Sequence, residues 1–154
     1  MKVAIGQDSH KFDFLNKNKP LVLGGIIFEG AYPVVANSDG DVVLHAITNA
    51  ISGITCKNIL GKVSDDMCSK GIKNSEKYLE EALKYLKNKI THLSISIECK
   101  NPKISPKIEK MRENIARILK IKEECIGITA TTGEELTEFG KGNGINVWAC
   151  VTVE

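Results

Sequence analysis

Aromatic residues are scarce. Four Phe, three Tyr and one Trp make up 5% of the 154 residues, too few for the row of stacking faces that single-stranded nucleic acid requires. Neither sign of charge dominates. The 21 Lys and Arg stand against 19 Asp and Glu, a formal +2, which is no electrostatic footprint for a polyanion. Nucleic acid is therefore not an expected partner. The five cysteines, at 56, 68, 99, 125 and 150, are odd in number and include no CxxC pair. That pattern disfavours a disulfide framework or a thiolate zinc site and fits reduced, packed thiols. No apolar run approaches the roughly 20 residues of a membrane-spanning helix, and no secretory signal opens the chain. No membrane partner is expected and the location reads as cytoplasmic. A plastid protein after removal of its transit peptide would share these features.

The length suits one domain over residues 1–154, long enough to bury a core. There is no repeat, low-complexity tract or linker. Val3 and Ile5 alternate with polar or small neighbours as in a strand. Leu21 to Ile27 reads as a second strand, bounded by Pro20 and interrupted by Gly24 and Gly25; Asp13 to Lys19 is a polar turn between the two. A first helix is expected to begin near Ser38 and Asp39, with Ser38 and Asp41 at capping-box spacing. Leu44, Ile47, Ile51 and Ile54 form its apolar stripe. Lys57 to Asn74 reads as a polar loop, and Ser75 to Lys87 as a second helix with Leu79, Ala82, Leu83 and Leu86 inward. Leu93, Ile95 and Ile97 alternate with polar residues, a half-buried strand. Ser105-Pro106 marks a third helix start, continued by Ile108, Met111, Ile115 and Leu119. Ile126 and Ile128 mark a strand, and Ile145 to Val153 alternate through the last. The expected class is α+β, a sandwich of a mixed sheet with three main helices.

Asp8-Ser9-His10 carries the first chemical signal. Residues i and i+2 of an extended segment project from one face, so a carboxylate oxygen and an imidazole nitrogen can reach the same ion. His45 lies one turn past the expected helix start, on the polar side that also carries Asp41, Thr48, Asn49 and Ser52. Two His and one Asp with an open position is a known catalytic zinc arrangement. Each piece alone also has a plain structural explanation, a surface Asp-x-His and a hydrogen-bonded core histidine. His92, at a helix–strand junction, has no such company and reads as a surface residue.

Further blocks accompany these residues: G-Q-D-S-H-K-F at 6–12, P-L-V-L-G-G at 20–25, S-D-G-D-V-V-L-H-A at 38–46, N-P-K-I-S-P-K-I at 101–108, M-R-E-N-I-A at 111–116, A-T-T-G-E at 130–134 and G-K-G-N-G-I at 140–145. In that order they resemble the 2-C-methyl-D-erythritol 2,4-cyclodiphosphate synthase family of the non-mevalonate isoprenoid route, from Gly6 through the last strand. The resemblance implies a homotrimer with active sites between subunits. It implies cyclisation of 4-diphosphocytidyl-2-C-methyl-D-erythritol 2-phosphate with release of CMP, a phosphorus–oxygen lyase reaction. It makes Asp8, His10 and His45 the ligands of one Zn2+ per subunit and Glu134 the ligand of Mg2+ or Mn2+ on the substrate. Lys103, Thr131 and Thr132 would contact the diphosphate. Glu98, Cys99, Pro102, Lys103 and Ile104 would form the cytosine pocket, largely through backbone groups. Asn37 and Ser38 would lie near the terminal phosphate.

Several positions depart from the family pattern. Asn37 stands where histidine is usual, Asn49 where aspartate is, Gly133 where threonine is and Lys141 where arginine is. The ribose-binding segment reads Asn58-Ile59-Leu60-Gly61, with Ile59 at the position of the family's aspartate and Asn58 its nearest polar neighbour. The lid over the polyol is shortened to Ser64-Asp65-Asp66-Met67, with Asp66 as its expected contact. A second reading accommodates these changes: a catalytically impaired paralogue, a trimeric metal-dependent protein binding nucleotides or isoprenoid diphosphates.

Overall fold

A computed structural model describes residues 1–154. A four-stranded sheet runs in the order β1 (Lys2–Lys11), β6 (Gly144–Val153), β4 (Ile90–Glu98), β5 (Ile126–Thr131). β6 is antiparallel to both neighbours, and β4 pairs parallel to β5. A hairpin of β2 (Leu21–Leu23) and β3 (Ile26–Phe28) stands apart from it. Four α-helices complete the chain: α1 (Val42–Thr55), α2 (Lys62–Ser69), α3 (Ser75–Leu83) and α4 (Ile108–Leu119). One core of 34 buried apolar residues lies between the sheet and the helices.

The period of two in β4 and β6 works as the sequence suggests. Leu93, Ile95 and Ile97, with Ile145, Val147, Ala149, Val151 and Val153, all face the core. α1 lies across β1 and β6 and is buried almost all round, because α3 packs on its other side. Thr48 and Ser52, expected on a polar face, are therefore buried as well. The opposite face of the sheet is open. Val3 is 58% exposed, Ile5 64% and Trp148 50%.

Four expectations need correction. There are four helices rather than three. α2 forms inside the stretch read as a loop, and its only buried residue is Ser64, so no apolar stripe announced it. α1 begins at Val42, not near Ser38. Asp41 is its cap and accepts from Leu44 N at 3.0 Å, while Ser38 Oγ accepts from Gly40 N at 3.1 Å. Gly40 has φ of +71°, a turn conformation that holds the helix start back to the second aspartate. Leu21 to Ile27 is not one strand but a hairpin, turning at Gly24 and Gly25, both at positive φ. α3 stops at Leu83 rather than Lys87, and a 3-10 turn at Ser105–Lys107 precedes α4.

Asp41 ties these parts together. Its buried carboxylate accepts from Gly24 N at 2.8 Å and Gly25 N at 2.6 Å as well as from Leu44 N. Burial pushes its pKa up to about 6 against the pull of these N–H donors. One side chain thus caps α1 and anchors the hairpin beside it.

Candidate functional site

β1 brings Asp8 and His10 to the α1 side of the sheet. Gly6, on the same face, lets the helix close in. A Cβ there would stand 2.1 Å from Ala46 O and 2.2 Å from Ala50 N. At that separation His45, on the first turn of α1, reaches the strand. His45 Nδ1 lies 3.0 Å from Asp8 Oδ2, and His10 Nε2 lies 3.1 Å from the same oxygen. One ligand atom from each residue falls within 4.8 Å of the others.

The far nitrogens are also engaged. His10 Nδ1 is 2.9 Å from Val35 O. A carbonyl only accepts, so Nδ1 carries the proton and a neutral His10 turns its Nε2 lone pair toward Asp8. His45 Nε2 is 2.8 Å from Ser75 Oγ. Burial would raise the Asp8 pKa, but the two imidazoles outweigh it and hold the carboxylate at about 2. The hydrogen bond to Asp8 raises the His10 pKa. An arrangement that leaves a carboxylate oxygen facing two imidazole nitrogens at 3.0–3.1 Å suits a cation. Ligands of a tetrahedral ion at ~2.0 Å stand about 3.3 Å apart. The three residues could hold a metal ion.

A cavity of about 450 Å³ opens on this triad. Asn37 and Ser38 line it, as does Asp65 of α2. Asp66 does not; it is exposed and pairs with Lys62 at 3.1 Å. Lys19 braces the rim. Its ammonium donates to Ala36 O at 3.2 Å and also to Ser38 O, and burial lowers its pKa. Gly61 precedes α2 with φ of +113°. Ile59 is buried in the core at 2% exposure, while Asn58 beside it is exposed.

The other candidate residues gather at a different edge. Glu98 and Thr131 end β4 and β5 and pair across them, and Cys99 N donates to Thr131 O at 2.9 Å. Pro102 is half-buried and Lys103 exposed; Ile104 is buried in the core. Cys99 is buried too, which pushes its thiol up to about 12. Thr132 Oγ1 accepts from Glu134 N at 3.3 Å; Glu134 is exposed, with φ of +51°. Lys141 pairs with Glu138 at 3.1 Å. Ser9 pairs with Asn146, Asn146 with Glu98, and Glu98 with Thr131. The triad and Thr131 are thus three strand spacings apart, roughly 14 Å. None of residues 98–104, 131–134 or 141 lines the triad's cavity. Within one chain the candidate site is two halves, at opposite edges of the same end of the sheet.

Sequence reasoning missed Asp65, Lys19, Ser75 and the Val35 carbonyl. Backbone groups and lysines carry no sequence signature, and Ser75 at a helix start looks like any capping serine.

Known proteins resemble this chain in both sequence and fold. The model of the YgbB family matches residues 1–154. The 2-C-methyl-D-erythritol 2,4-cyclodiphosphate synthase of Chlamydia muridarum is 52% identical over 99% of this chain and 87% of its own. Among solved structures, that of IspF from Plasmodium falciparum in complex with CDP superposes with a TM-score of 0.80. It is 28% identical over 99% of this chain and 94% of that one. The bifunctional IspDF of Campylobacter jejuni gives a TM-score of 0.86 and 31% identity, over 97% of this chain and 41% of that one. The chain belongs to the YgbB family, with the 2-C-methyl-D-erythritol 2,4-cyclodiphosphate synthases.

Proposed function

We infer that the chain cyclises 4-diphosphocytidyl-2-C-methyl-D-erythritol 2-phosphate to 2-C-methyl-D-erythritol 2,4-cyclodiphosphate and releases CMP. It acts as a phosphorus–oxygen lyase in isoprenoid precursor synthesis. An oxygen of the 2-phosphate attacks the β-phosphorus in line. The bond from that phosphorus to the CMP oxygen breaks, and the electron pair leaves with CMP. No covalent bond to the protein is needed, so positioning and electrostatics carry the rate.

Asp8, His10 and His45 would hold zinc, and Glu134 would hold Mg2+ or Mn2+ on the diphosphate. Bound there, cations neutralise and polarise phosphates that otherwise repel. Asn37 and Ser38, braced by Lys19, receive the terminal phosphate. Asp65 faces the polyol. Thr131, Thr132 and Lys103 orient the diphosphate, with Lys141 nearby. The backbone of residues 98–104 reads cytosine. All belong to one domain, residues 1–154, which works in the cytoplasm with neither nucleic acid nor membrane as partner.

The active assembly is a homotrimer. Two observations support it. Within one chain the half-sites lie roughly 14 Å apart, too far for phosphates held at each to reach attacking distance, and the sheet leaves Val3, Ile5 and Trp148 exposed on one face. A neighbouring copy that covers this face and sets its β5 edge beside the β1 edge completes the site. The observation that carries the functional reading is the convergence of Asp8, His10 and His45 on one point in a chain of this family. The burial of Ile59, which leaves the ribose without a carboxylate, favours the alternative, a catalytically impaired paralogue that binds nucleotides or isoprenoid diphosphates without turnover. Phosphorus NMR of the substrate incubated with the protein, Zn2+ and Mg2+ separates the two. CMP and cyclodiphosphate should appear in equal amounts; binding without either product would favour the paralogue.

A further inference from the structure

Ser75 has no exposed surface. It is the first residue of α3, but its hydroxyl does not cap that helix. Asn74 does so, accepting from Glu76 N at 2.9 Å. The Ser75 hydroxyl instead sits between two side chains. It donates to Asp39 Oδ1, and His45 Nε2 lies 2.8 Å away. Asp39 is itself fixed. Its Oδ2 accepts from Ser75 N at 3.0 Å, its Oδ1 accepts from Asp41 N at 3.1 Å, and its own N–H donates to Lys73 O at 2.9 Å.

A serine hydroxyl has one proton to give. As a carboxylate Asp39 only accepts, so that proton points to Asp39. Oγ then offers lone pairs alone, and His45 Nε2 must be the donor. An imidazole protonated on Nε2 carries its lone pair on Nδ1, the atom 3.0 Å from Asp8; without an ion the Asp8 carboxylate also draws a proton there, so the two acceptors compete for the one ring proton of a neutral His45. We propose that Ser75 and Asp39 form a positioning pair that draws the His45 proton to Nε2 against the pull of Asp8 and so makes Nδ1 its metal-ligating atom. The Val35 carbonyl does the same for His10 in mirror image, holding Nδ1–H and freeing Nε2. Both ligands are thus biased toward the metal-ready tautomer before any ion arrives, through partners of the kind that tune metal sites from outside the ligand shell.

The proposal rests on the metal reading above, and two readouts keep them separate. Imidazole 15N shifts of the metal-free protein, recorded above the histidine pKa range, report the tautomer directly. Wild type should show His45 mainly as Nε2–H, and a wild type mainly in the Nδ1–H form would overturn the proposal. Ser75→Ala should show a mixture, and its zinc affinity, measured by chelator competition, should fall roughly 10–100-fold. Asp39→Asn frees the Ser75 proton to turn toward His45, so Nδ1–H should appear there too. An unmixed Nε2–H form in both variants, with zinc affinity within twofold of wild type, would overturn the proposal. A wild type that binds no zinc while Ser75→Ala releases the tautomer would overturn the metal reading alone and uphold the pair.

Discussion

Gly6 of β1 lies so close to α1 that a methyl group at residue 6 would stand 2.1 Å from the carbonyl oxygen of Ala46. That contact sets the gap between strand and helix, and the gap sets the 3.0 Å reach from His45 to Asp8. A glycine with no unusual backbone angle is therefore part of the geometry of the triad. Gly6→Ala must push α1 away, because the neighbours it would meet are backbone atoms that cannot rotate aside. The expected cost is at least about 1–3 kcal/mol of stability, together with a marked loss of zinc affinity. Gly127 on β5 has nothing within 4 Å of its built Cβ, so Gly127→Ala is the control and should stay within about 0.5 kcal/mol. Denaturant unfolding and zinc titration of the two variants check this.

The pH response of the metal-free chain follows from His10. Its pKa is raised from 6.5 by the hydrogen bond to Asp8. Between those two values the folded chain holds a proton that the unfolded chain has released. The pair's contribution to stability is full below the unfolded value and is lost as pH rises through the raised one. Zinc needs the same nitrogen deprotonated, so the stabilisation by zinc grows over that window. Melting temperatures with and without zinc, from about pH 6 to about pH 8.5, should therefore move in opposite directions. His10→Gln should flatten both trends; unchanged slopes in that variant would remove His10 from both roles.

Nucleoside selectivity should be altered at the ribose. Ile59 is buried at 2% exposure and its side chain can accept no hydrogen bond, so the hydroxyls lose a charge-assisted partner worth roughly 1.5–3 kcal/mol. Only exposed Asn58 could replace it. A cytosine pocket built from the backbone of residues 98–104 tolerates side-chain change, since N–H and C=O are present at nearly every residue. Calorimetry should find CDP binding only slightly tighter than 2′-deoxy-CDP, with UDP clearly weaker than CDP. Strong discrimination against the deoxy nucleotide would show that a ribose contact persists.

The parts of the fold that one-dimensional patterns carry were legible in the sequence. Alternation in β4 and β6 and the Leu44, Ile47, Ile51 stripe of α1 mark buried faces, and burial is what those periods report. α2 was not legible, because a helix that buries only Ser64 has no stripe to show. The start of α1 was misread because S-D-G-D offers three capping residues in a row, and only the hydrogen bonds of Asp41 to Gly24 and Gly25 decide among them. For the site, Asp8-x-His10 is a local pattern that reads directly. His45 needed a helix phase, and the family resemblance, to join it. Ser75 and Asp65 were invisible. Their roles depend on where α3 and α2 dock, which is a tertiary fact.

The central claim is that one working site takes its triad from one chain and its diphosphate cluster from the next. Co-expression of a His45→Ala chain with a Glu134→Gln chain tests it most directly. Each variant alone should release neither CMP nor cyclodiphosphate. In every mixed trimer one site of three pairs an intact triad with an intact Glu134, so random assortment should restore roughly one quarter of wild-type sites. Purified mixed trimers that form CMP and cyclodiphosphate in equal amounts, near one third of the wild-type rate, are the predicted result. Mixed trimers as inactive as their parents, beside an active wild type, would contradict the shared site.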